Sequence, residues 1–227
     1  MSEPKKRVFV FAGGEPEYGH GASGLKMMLL NTKTTPVGLD AEIVGAASYY
    51  EFGGTRQKCD DFKIPFEFRP SGFTSEWYAS IMKKYKVDFA MFSGWLKYAK
   101  GIDFAKAINI HCGLLPMTKG LHGDNVHCRA LEMYHAGKTV NSGVTMHFVT
   151  WREHDPEKKE YDAGPIICQR PVPIMPNDTL ETLKARVNAM EHAIQSMILD
   201  LVVHGRIFYH EGKTQVNDFQ LKRFLGI

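Results

Sequence analysis

Arg7-Val8-Phe9-Val10-Phe11-Ala12-Gly13-Gly14 is the stretch that decides the fold. An apolar run closed by two glycines reads as a strand buried on both faces, the condition of a strand inside a parallel sheet. Downstream, Leu25 to Leu30 begins an apolar helix, Ala41 to Ala46 reads as a second strand, and Ile64 to Phe68 as a short third one. Glu76 to Tyr85 places Trp77, Ile81, Met82 and Tyr85 on one helical face. Val87 to Phe92 is the next strand, ending at Ser93-Gly94, and Ile108 to His111 follows it. Strands alternating with helices imply an open, mostly parallel α/β sheet flanked by helices, of Rossmann-like type.

The second half changes character. Val144 to Val149 and Pro165 to Arg170 read as strands joined by a charged loop with no helix signal, so they are expected to pair antiparallel. Asp178 and Glu181 resemble a capping box opening a long helix, whose Leu183, Val187, Met190, Ile194, Met197, Ile198 and Leu201 keep a 3.6 period. No repeat or linker interrupts the chain. Residues 1–227 therefore read as one domain, with a nucleotide-binding-like half (1–107) and a catalytic half (108–227).

Composition narrows the partners. The 227 residues are 44% hydrophobic and 23% charged, with a net charge of +3, so nothing calls for nucleic acid or a membrane surface. No apolar run approaches the ~18 residues of a spanning helix. The N-terminus lacks a signal-type apolar stretch, which points to the cytoplasm. The four cysteines contain no Cys-x-x-Cys, so neither a disulfide scaffold nor a zinc ribbon is indicated. His111, Cys112, His122, His127, Cys128 and His135 crowd together, but no histidine pair has i, i+4 spacing. Separate roles are expected for them, and no metal.

Ligands of open α/β sheets sit at the carboxyl ends of the strands, and Gly13, Gly94 and His111 all lie at such ends. In Ile108-Asn109-Ile110-His111, period-2 alternation implies one buried face and sends the amide and the imidazole out on the same side. With the later Asp162, these are the parts needed to stabilise an oxyanion and move a proton at a carbonyl. The competing reading is that Asn109 and His111 only satisfy backbone groups at a strand end.

Gly19-His20-Gly21-Ala22-Ser23-Gly24 formally matches the dinucleotide fingerprint Gly-x-Gly-x-x-Gly. Residues 13–18 separate it from its strand, however, and Leu25 between Gly24 and Lys26 spoils a P-loop. What survives is a set of small residues opening a helix, whose backbone N–H groups suit an anion. Residues 13–21 are expected to arch outward as a surface flap. A loop kept supple only to cross the sheet is the alternative.

Ile108 to His111, Gly113-Leu-Leu-Pro116, Gly120-Leu-His122, Gly143 to Val149, Asp162 to Gln169, Asp178-Thr179 and Glu191-His192-Ala193, taken in order, closely resemble the glycinamide ribonucleotide formyltransferase family. That family belongs to the folate-dependent formyltransferases. The resemblance implies formyl transfer from 10-formyltetrahydrofolate to the amine of glycinamide ribonucleotide in purine synthesis, without a metal. It implies Asn109, His111 and Asp162 as the catalytic set, with Asp162 raising the pKa of His111. Trp95, Leu96, Lys97 and Tyr98, with Tyr161 and Ala163, would line the folate pocket, making 108–227 also the folate-binding half. Ala22, Ser23 and Gly24 would meet the acceptor's phosphate and Glu191 its sugar. The implied partners are small molecules, and a homodimer is compatible. Three departures stand out: a glycine loop expanded by residues 15–21, Cys112-Gly113 in place of Pro-Ser, and an insertion from Arg152 to Lys159. They leave open another amine acceptor, such as an amino sugar nucleotide, and a non-catalytic folate- or nucleotide-binding protein.

Overall fold

The computed structural model describes residues 4–33, 38–151 and 160–225. The insertion from Arg152 to Lys159 lies outside them. In chain order the elements are β1 (Lys6–Ala12), α1 (Ser23–Asn31), β2 (Ala41–Ser48), α2 (Gly54–Phe62), β3 (Phe66–Phe68), α3 (Ser75–Lys84) and β4 (Phe89–Ser93). They continue with β5 (Ala107–His111), α4 (Asp124–His135), β6 (Asn141–Phe148), β7 (Ile166–Pro173), α5 (Leu180–Val203), β8 (Ile207–His210), β9 (Lys213–Val216) and α6 (Phe219–Leu225).

Seven strands form one sheet in the order β3-β2-β1-β4-β5-β6-β7. Pairing is parallel from β3 to β5, and β6 and β7 join antiparallel, as the change in sequence character implies. A separate β8–β9 hairpin follows. The apolar run of β1 feeds two cores. Val8, Val10 and Ala12 pack toward the helices α1 and α5, while Phe9 and Phe11 enter an aromatic cluster under α3. Phe11 stacks on Phe92 at 4.9 Å between centroids and meets Tyr78 and Trp95 edge-on. Truncating such a side chain to alanine costs about 3–5 kcal/mol.

Three local expectations need correction. The deeply buried face of α3 centres on Tyr78 and Ile81, with Trp77, Met82 and Tyr85 packed at its margin. The cap of α5 is Thr179, which exchanges hydrogen bonds with Thr182; Asp178 instead pairs with Arg186 and accepts from the Met175 N–H at 2.7 Å. β5 is covered on both faces rather than one, leaving only Asn109 half-buried. α2, α6 and the β8–β9 hairpin carry too short or too polar a pattern to be read from sequence. α2, for example, buries one strongly apolar side chain, Cys59.

Candidate active site

The carboxyl ends of β1, β4 and β5 open onto a cavity of about 530 Å³. The Gly13 N–H donates to Gly94 O at 3.2 Å, tying the first two strand ends together. Gly94 turns with φ +66°, a left-handed conformation that favours glycine.

The chain after β5 is stitched down by two side chains from the antiparallel strands. The Thr145 hydroxyl donates to Gly113 O at 2.7 Å, and Gln169 Nε2 donates to Leu115 O at 2.9 Å. Gly113 must be glycine here, because a Cβ would fall 2.2 Å from Thr118 Oγ1. This anchored loop delivers two contacts to the site. Thr118, fully buried, meets His111 Nε2 at 2.9 Å, and the Gly120 N–H donates to Asp162 Oδ2 at 3.1 Å.

Four polar side chains meet here: Asn109, His111 and Asp162 on the cavity wall, and His147 behind them. Asp162, held at φ +51°, lies 3.7 Å from His111 Nδ1 through Oδ2, and 3.4 Å from His147 Nε2 through Oδ1. His147 Nδ1 faces the carbonyl of Phe148 at 2.8 Å. A carbonyl only accepts, so Nδ1 carries a proton. In the neutral ring Nε2 is then the acceptor, and Asn109 Nδ2 donates to it at 3.0 Å. That bond orients the amide and uses one of its two N–H groups. The other N–H has only a long, 3.5 Å approach to Asp162 Oδ1.

Burial is the largest influence on the charged states. It pushes the Asp162 carboxyl up, but the two imidazoles beside it, His147 at 3.4 Å and His111 at 3.7 Å, and the Gly120 N–H together hold it below the usual value. Burial depresses His111, and the pull of Asp162 upward does not overcome it. The expected rise for His111 is thus corrected to a fall: desolvation outweighs one carboxylate 3.7 Å away. The resting imidazole is neutral. Burial also pushes the Cys112 thiol up to about 12, so it is no nucleophile.

Ala22, Ser23 and Gly24 line the same cavity at the start of α1, as do Trp95, Leu96, Tyr161 and, from α5, Glu191. Lys97, Tyr98 and Ala163 lie instead along a smaller adjoining cavity, which Trp95, Tyr161, Asn109 and Asp162 also border. Ala22 caps α1 in a left-handed conformation without any side-chain hydrogen bond. Glu191 is half-buried, and desolvation pushes its carboxyl up to about 7. Glu15 to His20 form an exposed arch, pinned to α2 by Gly54 N–H to Glu15 O and by Lys58 Nζ to Gly19 O. Among the described residues no group of three or more His, Cys, Asp or Glu is placed to hold a metal.

Asn188, His192 and Gln195 also line the cavity from α5, and sequence reasoning missed them, as it did His147 and Thr118. For His147 a signal existed: antiparallel pairing of β5 with β6 sets it directly opposite Asn109. For His192 and Gln195 the signal was their spacing from Asn188 and Glu191 on one face of α5.

The family model described as formyl transferase matches residues 33–199, leaving β1, the glycine loop and all of α1 outside the match. A phosphoribosylglycinamide formyltransferase of Escherichia coli is 36% identical over 116 residues, covering 51% of this chain and 48% of that protein. The chloroplastic enzyme of that name from Vigna unguiculata is 34% identical over 149 residues, covering 63% and 44%. The matched part thus spans less than half the length of these curated relatives. The solved structure of phosphoribosylglycinamide formyltransferase from Anaplasma phagocytophilum superposes with a TM-score of 0.76 at 26% identity, covering 95% of this chain and 96% of that one.

Proposed function

The chain belongs to the formyl transferase family, and we propose that it moves the formyl group of 10-formyltetrahydrofolate to the amine of glycinamide ribonucleotide. The observation that carries this reading is the meeting of Asn109, His111 and Asp162 on the wall of one cavity, which the N-terminus of α1 also enters. Residues 1–227 act as one domain, the first half shaping the acceptor side and the second carrying the chemistry.

The folate co-substrate supplies an activated formyl carbon. Trp95, Leu96 and Tyr161 give the cavity an aromatic and apolar side suited to a flat pterin. Attack by the amine places negative charge on the formyl oxygen. The second N–H of Asn109, only loosely engaged with Asp162, donates to that oxygen. One such donor is worth about 2.7–4 kcal/mol in other acyl-transfer sites. His111, neutral at rest, accepts the proton the amine must lose. Once protonated, it is stabilised by the carboxylate of Asp162 and passes the proton to the departing folate nitrogen. Helix α1 receives the phosphate on its free N–H groups, and Glu191 accepts from the sugar hydroxyls.

Release of tetrahydrofolate, followed across a panel of amines, tests the reading. Turnover with glycinamide ribonucleotide well above every other amine is the expected result. No turnover with any amine would overturn it. A second reading, transfer to another amine, is favoured by one observation: Glu15 lines the cavity, whereas among the described residues no lysine or arginine does.

A further inference from the structure

We propose that Gln195 is a specificity-determining residue for the acceptor's sugar-phosphate end, donating through Nε2 to a phosphate oxygen and accepting through Oε1 from a sugar hydroxyl. This rests on the acceptor reading above and adds a residue to it.

Gln195 is 1% exposed, yet both atoms of its amide lack any hydrogen-bond partner. A buried amide left unpaired is destabilising, and methionine or leucine would fill the same space without that penalty. The side chain is not stranded in the core, since it lines the main cavity. It also lies against the first turn of α1. A Cβ built on Gly24 would fall 2.7 Å from Gln195 Oε1 and 2.6 Å from Ser93 Oγ, so the bare backbone of Gly24 is what admits the amide.

Neighbouring atoms narrow the ligand. The first N–H groups of α1 have no partners within the helix and favour an anion. His192 Nε2, about one turn before Gln195 on α5, is likewise buried without a partner. Glu191, next to His192 on the same helix, supplies an acceptor for hydroxyls. Among the described residues no lysine or arginine lines the cavity, and neutral donors there do the work a cation does elsewhere. A donor–acceptor amide between an anion-favouring helix end and a carboxyl matches a phosphorylated sugar.

Gln195→Met keeps the volume and removes both polar atoms. It should raise KM for glycinamide ribonucleotide about ten- to hundredfold, as loss of a hydrogen bond to a charged group does. KM for the folate and kcat should stay within about threefold, because neither the folate side nor the reacting atoms are touched. Ligand-free protein should melt about 2–4 °C higher, since an unpaired buried amide is gone. A folded variant with unchanged acceptor KM overturns the inference. Should that variant fail to fold, Gln195→Glu supplies the same test, its carboxylate repelling phosphate and raising KM further. If wild-type protein formylates no ribonucleotide, the acceptor reading fails by itself, and calorimetry with ribose 5-phosphate decides this one. Binding by wild type that is lost in the variant upholds it, and no binding by either sinks it.

Discussion

On the β5–β7 side of the cavity, each polar side chain assigned to chemistry is held by another group: Asn109 by His147, His111 by Thr118, and Asp162 by the Gly120 N–H. On the α1–α5 side, Gln195 and His192 end in buried atoms without partners, and α1 begins at a left-handed alanine with no side-chain cap. The two walls face one space. The difference teaches where each binding energy is spent: reaction geometry is set before a substrate arrives, whereas recognition is completed by the substrate itself. Preorganised donors act on developing charge without reorganisation, so the first wall must be finished in advance. The second can remain open because its ligand closes the hydrogen-bond account.

The largest effects should come from breaking the finished wall. His111→Ala and Asn109→Ala are each expected to lower kcat by about 10²–10³, the scale for loss of one oxyanion donor or proton carrier. Both should remain folded, since the loop after β5 is anchored through Thr145 and Gln169 rather than through them. Steady-state kinetics alongside circular dichroism checks this. Near-normal turnover of His111→Ala would remove it from the mechanism.

Asp162→Asn should come next, with kcat falling roughly a hundredfold and folate affinity changing less, because the imidazolium loses its counter-charge. The same substitution has a stability signature. The Asp162 carboxyl sits below its ordinary value in the folded chain, so its contribution is present above about pH 4 and disappears as pH falls through the folded value. Denaturant midpoints of wild type and variant should therefore converge on acidification. A gap that widens below pH 4 would contradict the assignment.

His147→Phe tests whether the finished wall is finished by its supports. It keeps a ring in the buried site but removes the acceptor that orients Asn109. A fall in kcat of about tenfold, with little change in either KM, is expected for a positioning residue. In the Asn109→Ala background the same change should cost almost nothing more, which a double-mutant cycle reads directly. Additive losses would show that His147 acts on something other than the amide.

How far the sequence carried each wall follows from the same contrast. The parallel sheet was legible because β1 is apolar on both faces, and Asn109 and His111 because period 2 puts them together. His147 required the exact register of β5 against β6, which alternation alone does not specify. The depressed His111 required knowing that both faces of β5 are covered, a tertiary fact that outweighs a visible carboxylate. Gln195 reads in sequence as one more polar residue on a long helix. Only its burial against bare Gly24 gives it meaning.

The smallest predicted effect belongs to the open wall and separates it from the other by pH. Burial holds the Glu191 carboxyl up at about 7, far above its ordinary value. Its neutral form therefore predominates in the folded chain below that pH, and the carboxylate above it. A carboxylate accepts two sugar hydroxyls better than a carboxylic acid, whose own proton competes for the site. KM for the acceptor should thus fall several-fold, on the order of three- to tenfold, as pH rises from about 6 to 8. KM for the folate should not follow, since Glu191 lines the acceptor side. Glu191→Gln removes the titration while keeping the size, and its acceptor KM should be flat across the range. A wild-type acceptor KM that is already flat, or a slope that survives in the glutamine variant, would place the titrating group elsewhere and take Glu191 out of the acceptor site.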